Sequence, residues 1–224
     1  KNYLNSMYFL NVYPKLEYLQ IELKDWNLHG NLTSYYSNGE IHGKWSFNNG
    51  SFTGLQEIFE KDKVILKFTT KNGNLDGSFE RYYSSGEILF RRNYVNGQKE
   101  GEQKEFYING QEERVSIYKE GKLNSTVTEF WKSGIVRSIY NYRDDLEDGW
   151  YKIYETDGLL KEQGKYINGV RDGERQVFGG EFLDLELLEC WSGGQLLDKY
   201  KPNVGYITKD VGIEGLIKKG EFCE

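Results

Sequence analysis

The residues of this chain that could do chemistry are two histidines, two cysteines and a surplus of carboxylates. His29 and His42 are the only imidazoles. No cysteine lies near them in sequence, and neither HExxH nor paired CxxC spacing occurs, so no metal site is expected and both read as surface or turn residues. Cys190 and Cys223 have no neighbouring histidine to draw a thiol toward its thiolate. They read as buried small residues or as one disulfide at a cap, too few to staple a scaffold. The pieces "GGEFL" and "SGGQLL" lack the lysine and spacing of a phosphate loop and read as turns. The run "DDLED" (Asp144–Asp148) offers oxygens to a hard cation, but without the ligand order and glycine of an EF-hand loop it reads as a solvated charge run. The sequence therefore points to no enzyme, no cofactor and no metal.

The elements that could carry a function are set by composition. The chain has 224 residues, enough to bury a sizeable core. It holds 5 Trp, 18 Tyr, 12 Phe and 26 Gly, only 2 Pro, and no alanine. The best helix former is absent and strand formers abound, so an all-β fold is expected. No run of 18 apolar residues occurs, so no helical membrane span is expected. A net charge of −6 argues against nucleic acid and against anionic lipid as partners. The chain opens on Lys1, read here as the trace of a removed upstream tag or leader; cytoplasm and export both stay open.

Periodicity then fixes the fold. Segments begin at Gly30, Gly54, Gly77, Gly101, Ser125, Gly149 and Gly173, spaced by 24 residues except for one spacing of 23. Counting each start as position zero, position five is aromatic in every segment: Tyr35, Phe59, Tyr82, Phe106, Phe130, Tyr154 and Phe178. Position nine is Gly39, Gly86, Gly110, Gly134 or Gly158, each after Asn, Ser or Asp. Position seventeen holds Phe47, Tyr94, Tyr118, Tyr142 and Tyr166, then Cys190, and a further glycine follows near position twenty. Asn-Gly and its kin between short apolar-patterned runs are hairpin tips. The runs are too short for helices, so each segment is a β-hairpin that must pack against its neighbours.

The expected fold is thus all-β: an elongated single-layer antiparallel sheet of tandem hairpin repeats. Residues 1–29 read as N-terminal capping strands, with Pro14 near a turn and Leu23 in a position-seventeen slot. Residues 30–195 read as seven repeats of about 24 residues, and 196–224 as a C-terminal cap over an open edge. The aromatic columns at five and seventeen are expected to share one face as the core, with Cys190 in the second column. Position six (Tyr36, Tyr83, Tyr107, Trp131; Glu60 and Glu155 in two repeats) is then expected on the opposite, exposed face as a partner-binding row, because exposed Tyr and Trp favour contact hot spots. Trp45, Trp150 and Tyr151 could extend either face.

The stretches "GSFERYYSSGEILFRRNYVNGQKEG", "GEQKEFYINGQEERVSIYKEGK" and "GWYKIYETDGLLKEQGKYINGVRDG" resemble the MORN-repeat variant found in bacterial YwqK-like antitoxin proteins. The resemblance covers roughly residues 18–195 and implies an interaction module rather than a catalyst. The expected function is a non-catalytic scaffold for protein–protein interaction. Alternatives are an antitoxin or immunity protein that neutralises a toxin, and a cell-surface or membrane-associated module that binds glycan or lipid. The oligomeric state is left open by the sequence.

Overall fold

The computed structural model describes residues 16–20, 23–179 and 184–201. Among them every long element is a strand, no helix occurs, and all strand pairings given by the register are antiparallel. No helix is therefore long and apolar enough to cross a membrane. The expected first strand before Leu16, Pro14, Cys223 and the terminal residues 202–224 lie outside the described residues. The chain forms two compact units, residues 1–100 and 101–224.

In the first unit, strand Gly30–Tyr36 pairs with Ile41–Asn48, Gly54–Glu60 with Lys63–Lys71, and Asn74–Tyr82 with Ile88–Val95. Leu16–Gln20 adds to the outer edge of Gly30–Tyr36. In the second unit Gly101–Phe106, Lys122–Phe130, Gly149–Tyr154 and Gly173–Gly179 each pair with the strand that follows. Gln195–Tyr200 then pairs with Asp184–Ser192.

The two tips of a full-length repeat differ. At the second, both central residues have positive φ, as at Asn96 (49°) and Gly97 (84°), which is the primed turn that matches strand twist. The first tip is longer: the Gly39 amide donates to the Tyr36 carbonyl at 2.9 Å, and Asn38 Oδ1 accepts from the Glu40 amide at 3.1 Å. Asn109 and Asp157 do the same for Gln111 and Leu159. The Asn or Asp before the glycine thus closes the loop on its own backbone.

Register assigns the faces, and it overturns the expectation that positions five and seventeen share one. Position zero opposes position seventeen: Gly30 faces Phe47, Gly77 faces Tyr94, Gly101 faces Tyr118 and Gly149 faces Tyr166. Even positions of a first strand therefore share a face with odd positions of the second, because side chains alternate. The core of the first unit lies on that face: Leu32, Trp45, Phe47, Ile58 and Phe68 are buried together, flanked by Leu28, Phe52, Ile65, Leu66, Leu75 and Phe79. In the shorter second repeat Gly54 faces Thr70, so Phe68 stands at an even position there. Position five falls on the other face among charged pairs. Lys44 Nζ sits 5.1 Å from the Phe59 ring centroid. Tyr82 donates to Glu80 at 2.7 Å, and Arg91 binds the same carboxylate.

In the seventh hairpin the pairing runs one residue further along the second strand, so Gly173 faces Trp191, not Cys190. Cys190 instead opposes Glu174; it is 1% exposed and disulfide-bonded. Trp45 and Tyr151 lie in the core, at 6% and 2% exposure, whereas Trp150 points the other way and is half exposed.

Candidate binding surface

Each first tip is flanked by a bulge that places one extra residue in the second strand. Ser34 pairs with Gly43 and Tyr35 with Ile41, which leaves His42 over. The same shift leaves over Ile65, Leu89, Glu113, Arg137, Lys161 and Glu186, one in every hairpin. A bulge re-aims a side chain, and here it aims the extra residue at position six of its own hairpin. The His42 ring meets Tyr36 edge-on at 5.0 Å. The Arg137 guanidinium lies 5.1 Å from the Trp131 centroid. Lys161 bonds Glu155 at 2.8 Å, and Glu186 lies across the place a side chain on Gly179 would occupy.

The expected row at position six is thus on the same face as position seventeen, and Tyr36, Tyr83, Tyr107 and Trp131 are half-buried rather than fully exposed. Two of them tie repeats together. The Tyr36 hydroxyl donates to the Phe59 carbonyl at 2.9 Å, and the Tyr107 hydroxyl to the Phe130 carbonyl at 2.9 Å. Both bonds run from position six of one repeat to position five of the next. Trp131 offers an indole N–H in the same slot, and that buried N–H finds no acceptor among the described residues.

His42 is buried, contrary to its reading as a surface residue, and its Nδ1 lies 3.1 Å from the Ser34 hydroxyl, which also accepts from Trp45 Nε1 at 3.1 Å. Burial lowers its pKa below the ordinary histidine value. The carboxylates of "DDLED" are used locally: Asp145 accepts from the Leu123 amide, Asp148 pairs with Arg143, and Asp144 lies near Lys122. Among the described residues no group of three or more His, Cys, Asp or Glu could hold a metal ion.

Sequence reading missed a charged cluster on the core face of the second unit. Arg175 bonds Glu162 through two nitrogens, at 2.7 and 2.8 Å, and Glu189 through a third at 2.9 Å. Tyr151 donates to Glu162 at 2.7 Å, and Arg171 stands near the rings of Tyr151, Tyr166 and Trp191. Burial pushes the Glu162 pKa up, but the Arg175 and Tyr151 bonds outweigh it and hold it below the usual value. Tyr140, stacked on Tyr151 at 5.3 Å, is pushed up to about 12, first by burial. Residues 140, 151, 162, 166, 175 and 189 are all at face-defining positions of the repeat, so the period could have placed them together. Nothing local marks them as a cluster.

Residues 28–49 and 75–96 each match the family model of the MORN repeat variant. Each matched stretch spans one hairpin, its first tip and its bulge, in the first and third repeats. MORN repeats generally serve protein or membrane binding, on a scaffold that is typically non-catalytic. No curated protein matches the chain.

Proposed function

We propose that the protein is a non-catalytic scaffold in which each unit binds another protein along its own row of position-six and bulge residues, with Tyr36 and Tyr83 as contacts in the first unit and Tyr107 and Trp131 in the second. One observation supports this most. The bulge recurs in every hairpin, while the couple presented beside it changes from Tyr36–His42 through Trp131–Arg137 to Glu155–Lys161. Constant frames with changeable surface couples are how repeat architectures build recognition surfaces. The rings are held by backbone bonds and bulge partners, so little side-chain freedom is lost on contact.

The test is affinity capture by the full chain, followed by quantitative binding of the captured protein to Tyr83→Ala and Trp131→Ala. Binding weakened at least tenfold, with an unchanged far-ultraviolet spectrum, is expected. Undiminished binding by both variants would rule out this row. A toxin is the finer form of partner suggested by the resemblance, and growth arrest on loss of this gene beside a toxin gene would mark it. Vesicle co-sedimentation and a glycan array distinguish a lipid or sugar partner from a protein.

A further inference from the structure

The second repeat is one residue shorter than the others, and a hollow lies beside its bulge. Its first tip is a two-residue turn of Lys61 and Asp62, both at positive φ, and Glu60 stays in the ladder opposite Lys63. Glu60 occupies position six and is exposed; it supplies neither a ring over the bulge residue nor a hydroxyl for the next repeat. In the first repeat Tyr36 does both, covering His42 and reaching the Phe59 carbonyl. Beside the place such a ring would take is a hollow of about 170 Å³ lined by Ile58, Ile65, Leu66, Phe79, Arg81 and Phe90. Ile65 is the bulge residue, the counterpart of His42, so the hollow borders the place that Tyr36 takes one repeat earlier.

The lining states what fits. Pockets for drug-sized ligands run to about 300–1,000 Å³, so this one takes a single side chain. Phe79 and Phe90, stacked 5.7 Å apart and 6° from parallel, form one wall, and the remaining apolar lining is aliphatic. Arg81 at the rim is exposed and makes no ion pair among the described residues, whereas nearby Arg91 is paired with Glu80. A guanidinium beside an apolar hollow favours a ring on its plane and a carboxylate on its fork.

We propose that this hollow receives a tyrosine-like aromatic side chain of a partner protein, flanked by a carboxylate that pairs with Arg81. The proposal rests on the scaffold reading above and adds the place and chemistry of one contact. It is tested by titrating the methyl-labelled full chain with acetyl-Asp-Tyr-Asp-amide, against acetyl-Asp-Ala-Asp-amide and acetyl-Lys-Tyr-Lys-amide. The acidic tyrosine peptide alone is expected to shift the methyls of Ile58, Ile65 and Leu66 in a saturable way. Arg81→Ala, at an exposed site, weakens that binding at least tenfold. Glu60→Tyr fills the hollow from within, abolishes peptide binding and raises Tm. Absent shifts, equal shifts with all three peptides, or full peptide binding by Glu60→Tyr would overturn the proposal. A captured partner that binds Glu60→Tyr and Arg81→Ala as tightly as the parent chain would sink the hollow and leave the scaffold standing. Peptide shifts at the hollow with undiminished partner binding by Tyr83→Ala and Trp131→Ala would support the hollow and remove the row.

Discussion

His42 is the residue whose chemistry the fold alters most simply. It is enclosed with Ser34, Tyr36 and Trp45, and burial disfavours its charged form. Its folded pKa lies below the value of 6.5 that an unfolded chain would show, so the unfolded state takes up the proton first. Its contribution to stability is present above pH 6.5 and is lost as pH falls below it. The carboxylates of Glu80, Glu162 and Glu189, all held below 4.5, act in a lower window: their contribution is present above 4.5 and is lost as pH falls further. A plot of Tm against pH should therefore begin to descend near 6.5 and steepen below 4.5. In His42→Asn the first descent should vanish and the second remain. A parent chain with a flat Tm between pH 7 and 5 would contradict the sign of this effect.

At the scale of the hairpin, rings lie over glycines, across the strand pair at Gly164 and two residues along the same strand at Gly43. A Cβ on Gly164 would stand 2.7 Å from Tyr151 Cε1, and one on Gly43 would stand 2.6 Å from Trp45 Cζ2. Neither glycine has positive φ, so packing alone requires them. Gly164→Ala should thus displace Tyr151, break its bond to Glu162 and cost about 1–3 kcal/mol, as overpacking usually does. Urea unfolding measures the loss, and a cost near zero would mean the ring has room to move. Hairpin existence and tip placement were legible in the sequence because Asn-Gly and a fixed aromatic mark them in nearly every copy. The faces were not. They depend on how many residues the tip and bulge consume, and no residue type announces a bulge whose occupant runs from His42 to Ile65 to Arg137. The Arg175 cluster escaped notice for a related reason. Glu162, Arg175 and Glu189 sit in separate strands and look individually like solvated charges.

At the scale of the whole chain, contacts within each unit join each described strand to strands near it in sequence, so the stability of a unit should be close to a sum over neighbouring hairpins. Arg175→Ala leaves the carboxylates of Glu162 and Glu189 buried without their shared cation, a loss of about 3 kcal/mol for a largely buried partner. Amide hydrogen exchange should quicken across strands 149–154, 160–167, 173–179 and 184–192 and stay unchanged across 30–36 and 41–48. Uniform acceleration over the chain would mean that cooperativity is global instead. The shortened second tip has a consequence for how such chains acquire new traits. Because the tip alone absorbs the missing residue and the bulge and pairing beyond it stay as in the other repeats, loss of one codon there changes a single hairpin and spares its neighbours. Innovation in this architecture can arrive as a small deletion that opens a niche, with no need for a substitution to build one.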